Sequence, residues 1–71
     1  MTTYREMQEE AQARCLQLAI EYWGEDSCLI NAMDWIRLHG DFKVDSFTEM
    51  SINECKWFED EISARLAARK G

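Results

Sequence analysis

Apolar residues recur at three- and four-residue spacing through three stretches of this chain, the period of helices that each bury a face. In the first stretch Tyr4, Met7, Ala11, Cys15, Leu18 and Tyr22 form one stripe. Ala13, Leu16, Ile20 and Trp23 form a second, roughly 140° away on a 3.6-residue helix. The pattern predicts a helix over about 4–23 that is apolar on two sides toward its end. Thr3-x-x-Glu6 fits a capping box at its start, and Gly24 suits a left-handed C-cap at its end.

The second stretch, EDSCLINAMDWIRLHG, predicts a helix over about 27–39 with Asp26 or Ser27 as N-cap and Gly40 just past the end. Arg37 and His39 fall in its last turn, where positive charge complements the helix dipole. Leu29, Ala32, Met33 and Ile36 make the main apolar face, and Ile30, Trp35 and Leu38 spread apolar surface beyond it. Only Asn31, Asp34 and Arg37 make a polar strip, so this helix is central in the fold or covered by a partner. In DFKVDSF, Phe42 and Val44 alternate as in a strand, yet one strand has no partner in this chain. The segment reads as a connector whose aromatics tuck against the helices, with pairing to its own copy the lesser alternative.

Two capping boxes compete for the start of the third helix: Ser46-x-x-Glu49 and Ser51-x-x-Glu54. The second adds a hydrophobic staple from Met50 to Cys55, and predicts a helix over about 51–69, with a single turn before it. Arg65, Arg69 and Lys70 suit the negative end of its dipole. Ile52, Cys55, Phe58, Ile62 and Leu66 share one face, which takes Phe58 inward. Trp57 is directed elsewhere, along a stripe with Ala64 and Ala68 and with Glu61 between them. Either the first helix or the 40s connector covers this stripe, or it meets another molecule. The second stripe of the first helix, with Leu16, Ile20 and Trp23, favours the intermolecular contact.

Composition sharpens that expectation. The chain has 71 residues with three Trp, three Phe and two Tyr, more aromatic bulk than a short monomer needs. The expected fold is all-α, a compact three-helix unit completed by homodimerisation. No stretch approaches the 18 or so apolar residues of a membrane span, and the charged MTTYREMQEE start predicts no secretory leader. Three cysteines without a close pair read as reduced thiols in a cytoplasm.

The net charge of −6 is first of all what keeps a small chain in solution, and it bears on the class of partner second. It disfavours direct contact with nucleic acid or an anionic membrane and favours a protein with a basic surface. A helix-turn-helix reading of residues 20–39 fails on the same ground, because Glu25, Asp26 and Asp34 outweigh Arg37. Cys15, Cys28, Cys55 and His39 would make a Cys3His zinc set, but none are closely paired and Cys15 and Cys55 lie on apolar faces. Glu59, Asp60 and Glu61 run consecutively, which spreads them round a helix as a solvated face. No metal, no cofactor and no catalytic residue is expected, and the chain reads as no enzyme.

Small size, acidity, helical layout and surplus aromatics together resemble the small inhibitor proteins encoded by phages, among them anti-CRISPR proteins and anti-activators of bacterial transcription regulators. The resemblance implies stoichiometric occlusion of a surface on a bacterial protein, in the host cytoplasm. Glu6, Glu9 and Glu10, or Glu59, Asp60 and Glu61, would then face a basic groove on the target. A structural or assembly subunit of a larger complex is the alternative, with the apolar stripes as permanent contacts.

Overall fold

The computed structural model describes residues 3–70. They form three helices, α1 (Tyr4–Trp23), α2 (Cys28–His39) and α3 (Ile52–Lys70), with one 3-10 turn, Phe47–Glu49, ahead of α3. The fold is all-α. Among the described residues there is no strand, and no helix is long and apolar enough to cross a membrane. The side chain of Lys70, expected to serve the dipole of the third helix, lies outside the described residues.

Local chemistry places the helix boundaries. At α1 the Glu6 N–H donates to Thr3 Oγ1 at 3.2 Å. At α3 the capping box is complete: Glu54 N–H donates to Ser51 Oγ at 3.2 Å, and Ser51 N–H donates to Glu54 Oε1 at 2.8 Å. The rival Ser46 spends its hydroxyl on Thr48 Oγ1, while Glu49 accepts from the Asp45 N–H, so that segment winds only a 3-10 turn. Ser27 precedes α2 without capping it, since its hydroxyl turns back to the Trp23 carbonyl at 3.3 Å.

The two internal glycines end helices for different reasons. Gly24 takes φ 96° and ψ 154°, an extended left-handed conformation open essentially to glycine alone and unlike the helical left-handed cap expected there. Gly40 has ordinary extended angles but stands where a Cβ would lie 2.9 Å from the Ile36 carbonyl oxygen.

α1 packs against α2, α3 and the 3-10 turn. Its buried positions are Ala11, Cys15 and Ala19, small residues at four-residue spacing that let α3 come close. Cys15 Sγ donates to the Cys55 carbonyl at 3.2 Å across that seam. Cys28, Ala32, Met33 and Ile36 of α2, Val44, Phe47 and Met50 of the connector, and Cys55, Phe58 and Ile62 of α3 complete the core. The connector aromatics thus pack inward, as the sequence suggests. Gln8 and Gln12 side-chain amides donate to the Met50 carbonyl at 3.0 and 2.8 Å, and Gln12 also to the Thr48 carbonyl, holding the connector to α1.

Three apolar positions expected on core faces are exposed. Tyr4 and Met7 lie on the first turns of α1, and packing of that helix begins at Gln8. Leu29 is displaced from the α2 core face by Cys28, which with Ala32 and Ile36 sets the buried row at four-residue spacing.

Candidate functional site

Trp57 is the residue the sequence directs outward, and its surroundings define the site. Its ring lies half-buried against Trp35, with centroids 5.1 Å apart and planes tilted by 31°. Phe42 meets it edge-on at 5.6 Å and 81°. Both neighbours belong to the same chain, so at Trp57 α2 and the 40s connector together cover part of the stripe. Gly40 makes this possible: a Cβ there would sit 3.2 Å from Trp57 Cη2 and 3.3 Å from Phe42 Cε1. Any larger residue after α2 would push the two rings apart.

The remaining aromatics connect to this pair. Trp35 also faces Trp23 at 6.5 Å and Phe58 at 5.7 Å, and His39, one turn along α2, stacks on it at 4.9 Å. Phe58 is fully buried and lies 6.3 Å from Trp23 and 5.7 Å from Phe47. Arginine stacks on this cluster twice. The Arg65 guanidinium lies 5.3 Å from the Trp35 ring centre and that of Arg69 4.3 Å from Tyr22. Arg69 also donates to the Tyr22 carbonyl at 3.1 Å, putting positive charge at the end of α1, whose own last turn has no basic residue.

Of the six apolar interface candidates, Trp57, Ile20 and Trp23 pack against the chain's own core. Leu16, Ala64 and Ala68 are exposed. The aromatic surplus inferred from composition is largely taken up inside the chain, because three tryptophans line one seam where α1, α2 and α3 converge. The larger exposed aliphatics are on α2: Ile30 at 69% and Leu38 at 81% exposure, with Leu29 exposed next to Ile30 in the first turn.

The acidic candidates are at the surface. Glu6, Glu9, Glu10, Asp60 and Glu61 are exposed and Glu59 is half-buried. Glu9 pairs with Arg5 and Glu59 with Arg14, each at 3.4 Å. Arg14 and Lys56 also line a surface hollow with Glu59 and Asp60, so that stretch alternates in sign and is not a uniform acidic patch.

A second hollow, of about 230 Å³, opens beside Gly40 and is lined by His39, Asp41, Phe42, Asn53, Glu54 and Trp57. Among the described residues neither Asp41 nor Glu54 belongs to an ion pair. This groove, lined by aromatic rings and carboxylates, is a candidate site that no stretch of the sequence indicates. Its parts come from the end of α2, the connector and the first turns of α3, and no periodicity in a single helix joins them.

The thiols lie in the core. Cys15, Cys28 and Cys55 are free and buried. Burial pushes the Cys15 thiol far above its ordinary value, with the neighbouring Cys55 and Glu59 adding to the shift. Burial likewise raises Cys55. Both stay protonated near neutrality, the form that neither attacks an electrophile nor binds a metal. Among the described residues no three His, Cys, Asp or Glu side chains converge to hold a metal ion.

Comparison of the chain with protein-family models, curated proteins and solved structures finds no match.

Proposed function

We propose that this protein is a non-enzymatic binding protein that docks its acidic surface on a basic face of a protein target and occludes it. The observation that carries the reading is the placement of charge. Fourteen acidic residues stand against eight basic ones, and no charged side chain is buried among the described residues, so the excess faces solvent. Such a surface attracts basic partners over about a Debye length and repels nucleic acid. The narrower form is a stoichiometric inhibitor of the phage-encoded kind, an anti-CRISPR or anti-activator acting in a host cytoplasm. Its support is small size, acidity and helical layout.

Affinity capture on the immobilised chain from bacterial lysate tests the reading, run beside a Glu59→Gln/Asp60→Asn/Glu61→Gln variant. The expected result is a protein retained by wild type, released by salt and held less well by the variant. Retention that ignores both salt and variant would contradict acidic docking.

A second reading rests on α2. Leu29, Ile30 and Leu38 present exposed apolar surface on one helix, which suits a homodimer or a permanent contact in a larger assembly. Light scattering would give twice the chain mass for wild type and the chain mass for Leu38→Glu. A monomer in both cases would reject the homodimer.

A further inference from the structure

The hollow beside Gly40 has the composition of a receptor for one cationic side chain. Its floor is the Trp57–Phe42 pair, held at 5.6 Å and 81° because Gly40 has no Cβ to separate the rings. Its lining adds two carboxylates, Asp41 and Glu54, and the Asn53 amide. Aromatic faces attract cations through their quadrupole, more strongly where water is partly excluded. Carboxylates beside them supply the matching charge, and a planar guanidinium can use both at once. Two of the chain's own arginines already use the aromatic half of this arrangement, Arg65 on Trp35 and Arg69 on Tyr22. Size narrows the occupant further: at about 230 Å³ the hollow is below the roughly 300 Å³ at which small-molecule sites begin. A side-chain terminus fits that space better than a metabolite or nucleotide, and the net charge of −6 favours a cation.

We propose that this groove seats the guanidinium of an arginine presented by a basic segment of a protein partner. The inference rests on the acidic-docking reading and names the group and the place at which docking is specific. Arginine enters against Trp57 and Phe42 and is held by Asp41. Glu54 keeps its role in the α3 cap and adds its charge at the edge.

Three capped peptides titrated into the full-length protein test this: one centred on arginine, its citrulline isostere, and a scrambled acidic control. The readout is the set of three tryptophan indole N–H signals in a nitrogen-15 correlation spectrum. The arginine peptide should move the Trp57 signal in a saturable way, with Trp23 little affected, and citrulline should not. Phe42→Leu keeps apolar bulk and should weaken binding about two- to five-fold, the range of a partly exposed cation–π contact. Asp41→Asn, at an exposed position, should weaken it by a similar factor, and Glu21→Gln, exposed on α1 away from the groove, should not. Thermal unfolding of each variant checks that the fold is kept. Equal binding of citrulline, or an affinity unchanged in both Phe42→Leu and Asp41→Asn, would overturn the groove. Binding of the arginine peptide at Glu59–Glu61 instead would overturn the groove and leave acidic docking standing, and lysate capture judges that broader reading separately.

Discussion

Replacing Gly40 with alanine tests the construction of the groove, because the sign of its effect is set by two opposed terms. Gly40 has φ −99° and ψ 167°, values any residue adopts, so alanine adds no backbone strain. At an unstrained site, Gly→Ala stabilises by about 0.4–1 kcal/mol through the unfolded chain. Here the new methyl would stand 2.9 Å from the Ile36 carbonyl oxygen, 3.2 Å from Trp57 Cη2 and 3.3 Å from Phe42 Cε1. The carbonyl is part of the backbone and already accepts the Gly40 N–H at 2.7 Å, so it cannot move aside freely. Overpacking of this kind costs about 1–3 kcal/mol, which exceeds the entropic gain and leaves a net loss of about 1–2 kcal/mol. For a chain whose total stability is roughly 4–10 kcal/mol, that is a large fraction. The melting temperature should fall by about 5–15 °C, followed by far-UV circular dichroism, with near-UV changes from displaced tryptophan. Phe42→Leu should relieve one of the three contacts, so the double variant should be less destabilised than the sum of the singles by about 0.5 kcal/mol or more. A Gly40→Ala variant as stable as wild type, or strict additivity with Phe42→Leu, would refute the convergence of the two rings on Gly40.

The other predictions concern the remaining caps and the buried thiols. At Gly24 no atom lies within 4 Å of a built Cβ, so only its positive φ matters; L-alanine should cost about 1–3 kcal/mol and D-alanine, in a synthetic chain, should be neutral or stabilising. Equal melting temperatures for the two enantiomers would contradict this. Ser51→Ala should lose about 1 kcal/mol in urea denaturation and Glu54→Ala a comparable amount, while Glu54→Gln keeps most of the box; equal loss from Gln and Ala would place the effect elsewhere. Cys15 and Cys55 have folded pKa values raised above an ordinary 9.0, so the unfolded chain binds fewer protons above that pH. Stability is then fully present below pH 9 and falls as pH rises past it, by about 1.4 kcal/mol per pH unit for Cys15, with Cys55 adding in the same direction. A Cys15→Ala/Cys55→Ala variant should flatten that alkaline slope, and an unchanged slope would sink the assignment.

What the sequence disclosed was what is local along the chain. The Ser51–Glu54 box spans three residues, and the face of Ile52, Cys55, Phe58 and Ile62 follows from the helical period, so both are legible without tertiary information. On α1 two apolar stripes competed, and the buried row is the modest one of Ala11, Cys15 and Ala19, chosen because small residues permit close approach to α3. Hydrophobic periodicity weights large side chains and so favoured Tyr4 and Met7, which lie beyond the packed part of the helix. Trp57 shows the same limit. Its direction on α3 was readable, but its cover comes from Gly40–Phe42, fifteen or more residues earlier, and depends on an absent Cβ. The two glycines looked alike as helix stops, yet one answers a backbone angle and the other a steric contact. The groove, assembled from three elements, was therefore invisible to a residue-by-residue reading.

The central claim, that acidity carries the docking, is tested most directly by the salt dependence of affinity for the captured partner. Between about 0.05 and 0.5 M salt the screening length falls from roughly 14 to 4 Å, which removes most long-range attraction between exposed charges. Wild type should lose affinity steadily over that range, and Glu59→Gln/Asp60→Asn/Glu61→Gln should bind more weakly with a shallower slope. A dissociation constant that stays level across the range, or a slope the variant leaves unchanged, would contradict the account.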